Sequence, residues 1–260
     1  MTDPVSGNEA LVERRDVDDA TSGGAAAAFG FVLFSFVLLA YEVVQIRVFA
    51  YSLNPSFVYA NIAIAMLGFG VAATVLCLSP KLRALPLPTL FAACGIGFGV
   101  AAFLANAVFA RASHLLHFEA SVVATFGGAT HVVVLLTMLP FAFGGLAVAA
   151  ILARNTKHVG RWYALNLAGS GFGCFTVQAA LPSLGAEALL VLLAALGVVA
   201  ALLFSRTAPR TLRAAGIVTV GALALAAVAA PSLLPFQPDS RDQLARVAQF
   251  YRRAGAGEPV

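Results

Sequence analysis

Two charges interrupt the first long apolar stretch of the sequence, in Tyr41-Glu42-Val43-Val44-Gln45-Ile46-Arg47. An ionisable side chain at membrane depth costs about 2.5–3.5 kcal/mol at mid-helix, so it is placed at a helix end or given a partner or a polar cavity. At 100° per residue Glu42 and Gln45 share a helix face while Arg47 points elsewhere, so the two charges need not pair. One reading puts both at headgroup level, where long charged side chains snorkel. The other makes Glu42 a buried carboxylate lining a polar site. With the amides placed inside later apolar runs, Glu42, Arg47, Asn61, Asn166 and Gln178 form the candidate polar intramembrane site.

Other residue types invite chemistry and do not complete it. His114 and His117 stand at i, i+3 with Glu119 nearby, yet a catalytic zinc needs three protein ligands in fixed geometry. His131 opens an apolar run alone. Gly95-x-Gly97-x-Gly99 and Gly169-x-Gly171-x-Gly173 are not dinucleotide fingerprints, which must follow a strand and open a helix. In lipid, Gly169-x-x-x-Gly173 instead reads as a helix-packing face. At 100° per residue Tyr163 and Asn166 fall in the same sector and Gly171 opposite. Pro140, beside Gly144 and Gly145, predicts a kink by removing a backbone bond. Cys77, Cys94 and Cys174 form no C-x-x-C pair and read as small packing residues. No catalytic residue, metal ligand or cofactor loop is expected on these grounds.

The elements that position these residues follow from composition. The 260 residues are 60% hydrophobic and 11% charged, with a mean hydropathy of +0.90, whereas a soluble domain carries about 25% charge. A disordered chain is excluded by the same figures. The basic residues, which give a net charge of +4, lie between apolar runs rather than in a nucleic-acid-binding patch. Crossing a ~30 Å hydrocarbon layer takes about 20 apolar residues. Seven runs qualify: Ala25–Val44, Phe57–Leu78, Thr89–Ala110, Ala129–Ala153, Tyr163–Leu181, Ala186–Phe204 and Ala214–Leu234. The fifth, with Asn166, Ser170, Gln178 and three glycines, is open to being buried, broken or re-entrant. Long unbroken runs exclude a strand-built barrel. The predicted fold is an all-α polytopic helical bundle of about seven helices.

With seven crossings, one side holds Arg14, Arg15, Lys81, Arg83, Arg154, Lys157, Arg161, Arg206, Arg210 and Arg213, and the other short loops hold only Arg47 and Arg111. That bias predicts a cytoplasmic N-terminus in an inner (plasma) membrane. Residues 1–24 read as a flexible cytoplasmic tail with no cleavable signal, 25–234 as the membrane domain, and 235–260 as a short polar tail. Within that tail Leu244, Val247, Ala248 and Tyr251 make the apolar stripe of an interfacial helix over Asp239–Arg253. Four arginines there favour the inside, which six crossings would provide and seven would not.

The order of motifs resembles the N-terminal membrane region of membrane-bound spermidine synthase-like proteins (polyamine aminopropyltransferases). It is carried by Tyr41-Glu42 with Arg47, Ala65-Met66-Leu67-Gly68-Phe69-Gly70, and Leu139-Pro140 with Gly144. The longest match is Gly160-Arg161-Trp162-Tyr163-Ala164-Leu165-Asn166-Leu167-Ala168-Gly169 with Gly173, running into Leu181-Pro182 and Gly185-Ala186-Glu187. The resemblance covers roughly residues 29–204. In such proteins a Rossmann-like synthase domain follows the membrane helices; its GGGDG-type loop appears nowhere in this sequence, so no aminopropyltransferase activity is expected of the chain itself. The resemblance implies a membrane module that anchors or partners a soluble or fused aminopropyltransferase-like domain in polyamine-related chemistry. The alternative is a small transporter or sensor for a cationic small molecule, for which Glu42 is the best-placed carboxylate. Against transport, no inverted repeat is visible. The lipid bilayer is an expected partner and nucleic acid is not.

Overall fold

Runs of this length and apolarity satisfy their backbone internally by forming helices. The computed structural model describes residues 24–52, 57–112, 128–234 and 236, and all regular structure among them is helical. The helices are α1 (Gly24–Ser52), α2 (Phe57–Leu78), α3 (Pro80–Ala84), α4 (Leu87–Ala112), α5 (Gly128–Arg154), α6 (Val159–Phe204), α7 (Arg210–Val228) and α8 (Ala230–Leu233), with a 3₁₀ turn at Thr156–His158 before α6. Six of these, α1, α2, α4, α5, α6 and α7, are long and apolar enough to cross a membrane. Large apolar side chains stand out from the bundle, among them Phe175 (81% exposed), Leu225 (76%) and Val228 (86%). Such a surface suits lipid rather than water. The fold is thus an all-α bundle with the architecture of a multi-pass membrane protein.

The seven apolar runs map onto six helices because the fifth and sixth are two arms of α6. Its 46 residues would reach ~69 Å if straight, more than twice the hydrocarbon thickness. Gly185 breaks it with φ 76° and ψ 159°, a conformation that suits glycine, and Pro182 has already withdrawn one backbone donor. The arms, 159–184 and 186–204, lie side by side on α1 in opposite directions. Gly169, Gly173 and Gln178 meet α1 at Val32, Phe36 and Arg47 in ascending order. Gly197 and then Phe204 return past Val37 and Gly30. The other boundaries differ modestly. Helix α1 continues to Ser52 rather than stopping at Val44, and the seventh run divides into α7 and the single turn of α8.

Two kinds of interface hold α1. Against α6 the backbones approach closely through glycines: at Gly30 a Cβ would lie 2.8 Å from the Ala200 carbonyl oxygen and 2.7 Å from the Phe204 nitrogen. Against α4 the gap is filled by aromatic rings, with Phe34 5.1 Å from Phe91 and 5.7 Å from Phe98, and Phe49 stacked on Phe109 at 4.5 Å. Each such ring pair contributes about 0.5–1.5 kcal/mol beyond burial. Helices α2 and α5 join through Gly68, beside Phe141 and the Met138 carbonyl, and Gly145, beside Phe69 and Ala72.

Lys81, Arg83, Arg154, Lys157, Arg161, Arg206, Arg210 and Arg213 gather at the end of the bundle where α1 begins, and Arg47 and Arg111 at the opposite end. Arg154 closes that basic end by donating to three carbonyl oxygens around the C-terminus of α3, those of Leu85 (2.6 Å), Leu82 (3.0 Å) and Arg83 (3.1 Å). The guanidinium reaches them from two nitrogens, Nη1 to Leu85 and Nη2 to Leu82 and Arg83, a spread that the single nitrogen of an ammonium does not match. Arg154→Gln is therefore expected to cost about 1–3 kcal/mol and Arg154→Lys somewhat less, read as thermal denaturation in detergent. Equal stability of all three proteins would contradict this role.

Several expectations lie outside the described residues: the tail 1–23, the His114–His117–Glu119 group, the His131 side chain and the amphipathic helix Asp239–Arg253.

Candidate functional site

The most polar level inside the bundle is built around Tyr41. Its ring lies between Phe98 (5.5 Å) and Phe141 (5.8 Å), and its hydroxyl accepts hydrogen bonds from Asn106 Nδ2 (2.8 Å) and Gln45 Nε2 (3.3 Å). Asn106 Nδ2 also donates to the Ala102 carbonyl at 2.7 Å. All three side chains are fully buried.

Interhelical contacts bring two further buried polar residues to this depth. Tyr41 meets Phe98 and Phe49 meets Phe109, so Gln45 of α1 stands level with Asn106 of α4. Helix α5 runs the other way past Leu38–Gly144 and Tyr41–Phe141, which brings Thr137 opposite Gln45. Gly68 beside Met138 and Phe141 sets the level of Asn61 on α2 about one helical turn along the bundle axis from that of Thr137. Gln45 Oε1, Asn106 Oδ1, Thr137 Oγ1 and both amide atoms of Asn61 are buried and have no hydrogen-bond partner among the described residues. Burying a polar group unpaired costs on the order of 1–3 kcal/mol. Four helices thus each carry one such group within about a helical turn of a common depth, and the unpaired atoms are mostly oxygens.

Glu42 borders this layer. It is half-buried, 60° around α1 from Gln45, in the sector between Leu38, which faces Gly144 of α5, and Val32, which faces Gly169 of α6. No hydrogen bond or ion pair reaches its carboxylate among the described residues. It lies ten residues before the end of α1, so the helix does not stop beside it as the run ending at Val44 suggested. Beyond it, Gln45 donates to the Tyr41 hydroxyl and Arg47 donates from Nη2 to Gln178 Oε1 at 3.2 Å.

The five sequence candidates thus separate. Arg47 and Gln178 meet at an exposed contact between α1 and the first arm of α6. Asn61 sits in the buried layer. Asn166 is partly buried on that arm, twelve residues before Gln178, or ~18 Å along the helix. Gly169 and Gly173 are buried, and a Cβ on either would run into the carbonyl oxygen of Val32 or Phe36. Tyr163, expected on their face, is 52% exposed. Its neighbour Trp162 turns inward instead, 5.4 Å from Phe31. Sequence reasoning passed over both Asn106 and Thr137. The available signal was a lone amide within the otherwise apolar run Thr89–Ala110.

Comparison of the chain with protein-family models, with curated proteins and with solved structures finds no match.

Proposed function

We propose that this multi-pass membrane protein binds a small organic cation of the polyamine class at Glu42. In this reading it serves as the membrane module of polyamine-related chemistry, anchoring or partnering an aminopropyltransferase-type catalytic unit, with its basic end in the cytoplasm of an inner membrane. The observation that carries the reading is the half-buried Glu42 carboxylate, unpaired among the described residues, well inside an apolar helix and adjoining a layer of oxygens that likewise find no partner among them. A carboxylate held in that setting attracts a cation, and amide and hydroxyl oxygens accept from its N–H groups. The setting in polyamine chemistry rests on the motif resemblance and on this charge match. The basic end supports the orientation.

A second reading, in which the module itself moves or senses the cation, is favoured by the orphaned layer, since Gln45, Asn61, Asn106 and Thr137 offer acceptors beyond Glu42.

Glu42 and Glu187 are the two carboxylates among the described residues, which supplies a control. Spermidine should raise the melting temperature of the purified chain and of Glu187→Gln, and leave Glu42→Gln unmoved. Equal shifts in all three proteins, or none in the wild type, would refute the proposal.

A further inference from the structure

We propose that the groove between the second arm of α6 and α7 is a binding site for an anionic glycerophospholipid. The groove, of about 230 Å³, is lined by Val199, Leu202, Leu203, Arg206, Arg213 and Ile217. Its two arginines belong to different elements: Arg206 follows the end of α6, and Arg213 lies in the first turn of α7. Both are exposed, and neither guanidinium has a hydrogen bond or ion pair among the described residues.

From this charged rim the wall turns apolar toward the middle of the bundle. Leu203 and Val199 lie about one and two turns back from Arg206, and Ile217 one turn on from Arg213. Gly216, whose Cβ would lie 2.8 Å from a Leu202 methyl, draws α7 against α6 and gives the groove its floor. A lipid supplies both halves of the complement. Its phosphodiester matches guanidinium geometry, and its acyl chain covers Leu203, Val199 and Ile217. Inorganic phosphate would leave that wall bare, and a zwitterionic lipid brings a compensating cation to the rim. The site is separate from Glu42, which lies on α1 outside this groove.

Full-length protein in neutral detergent is titrated with phosphatidylglycerol or phosphatidylcholine of the same acyl chains, and retained lipid is read by native mass spectrometry. At about 1 kcal/mol per basic residue near an anionic headgroup, two arginines give an expected preference for phosphatidylglycerol of about thirty-fold. Arg206→Gln with Arg213→Gln should abolish the preference, and Arg161→Gln, at the same end on the other arm, should keep it. Ile217→Trp, which fills the apolar wall without touching either charge, should reduce phosphatidylglycerol retention, and it decides the matter if the arginine pair fails to fold. Equal retention of the two lipids, an equal loss in Arg161→Gln, unchanged retention in Ile217→Trp, or inorganic phosphate binding as tightly as the lipid would each overturn the proposal.

Discussion

Leucine at Gly169 or Gly173 is expected to lower the melting temperature of the detergent-solubilised protein by about 6–12 °C, while leucine at Gly171 leaves it within about a degree or two. The reason is the first arm's approach to α1. At Gly169 the first atom added would collide with the Val32 carbonyl oxygen and come 3.2 Å from Ser35 Cβ; at Gly173 it would strike the Phe36 carbonyl oxygen. The nearest obstacles are backbone carbonyls, so no rotamer change relieves them. Helix α1 cannot withdraw, because its far side is set against α4 by Phe31, Phe34 and Tyr41. Overpacking of this kind costs up to about 3 kcal/mol and occasionally more. It matters especially in a bilayer, where close packing replaces the hydrophobic effect in holding helices together. At Gly171 a Cβ meets nothing within 4 Å. Equal losses at the three positions would mean that the glycine seam does not join the arm to α1.

The second large effect is expected at Tyr41. Tyr41→Ala empties the space between Phe98 and Phe141 and should cost about 3–5 kcal/mol. Tyr41→Phe retains the ring and removes only the oxygen to which Asn106 and Gln45 donate. It should still cost about 1–3 kcal/mol, because buried amide donors lose their acceptor. Combining Tyr41→Phe with Asn106→Leu should be less damaging than the sum of the single changes, since the second substitution removes a donor that the first left unpaired. Strict additivity in detergent denaturation would show that the hydroxyl and the amide do not depend on each other.

What was legible beforehand follows from local rules. Apolar runs of about 20 residues identify membrane helices because length and composition alone decide that question, and Gly169 and Gly171 are told apart by rotation about one helix. The end of α1 was placed too early because Glu42, Gln45 and Arg47 end an apolar run without ending the helix. Gln45 and Arg47 find partners in Tyr41 and in Gln178, 131 residues away from Arg47. Tyr163 was placed on the seam by adding offsets step by step, yet it stands about 100° from the mean direction of Gly169 and Gly173, whereas Trp162, seven residues before Gly169, lies on that direction and turns inward against Phe31. The buried layer is the least legible part. Asn61, Asn106 and Thr137 each look like an isolated polar residue in an apolar run, and only the register between four helices brings them level.

The most direct test of the account is equilibrium binding of radiolabelled spermidine to the purified full chain, compared with Glu42→Gln and Glu187→Gln. A charge-assisted hydrogen bond of about 1.5–3 kcal/mol corresponds to a loss of affinity of about ten- to a hundred-fold. Saturable binding to the wild type, weakened by that factor in Glu42→Gln and unchanged in Glu187→Gln, is the predicted result; equal affinity of the wild type and Glu42→Gln would contradict it.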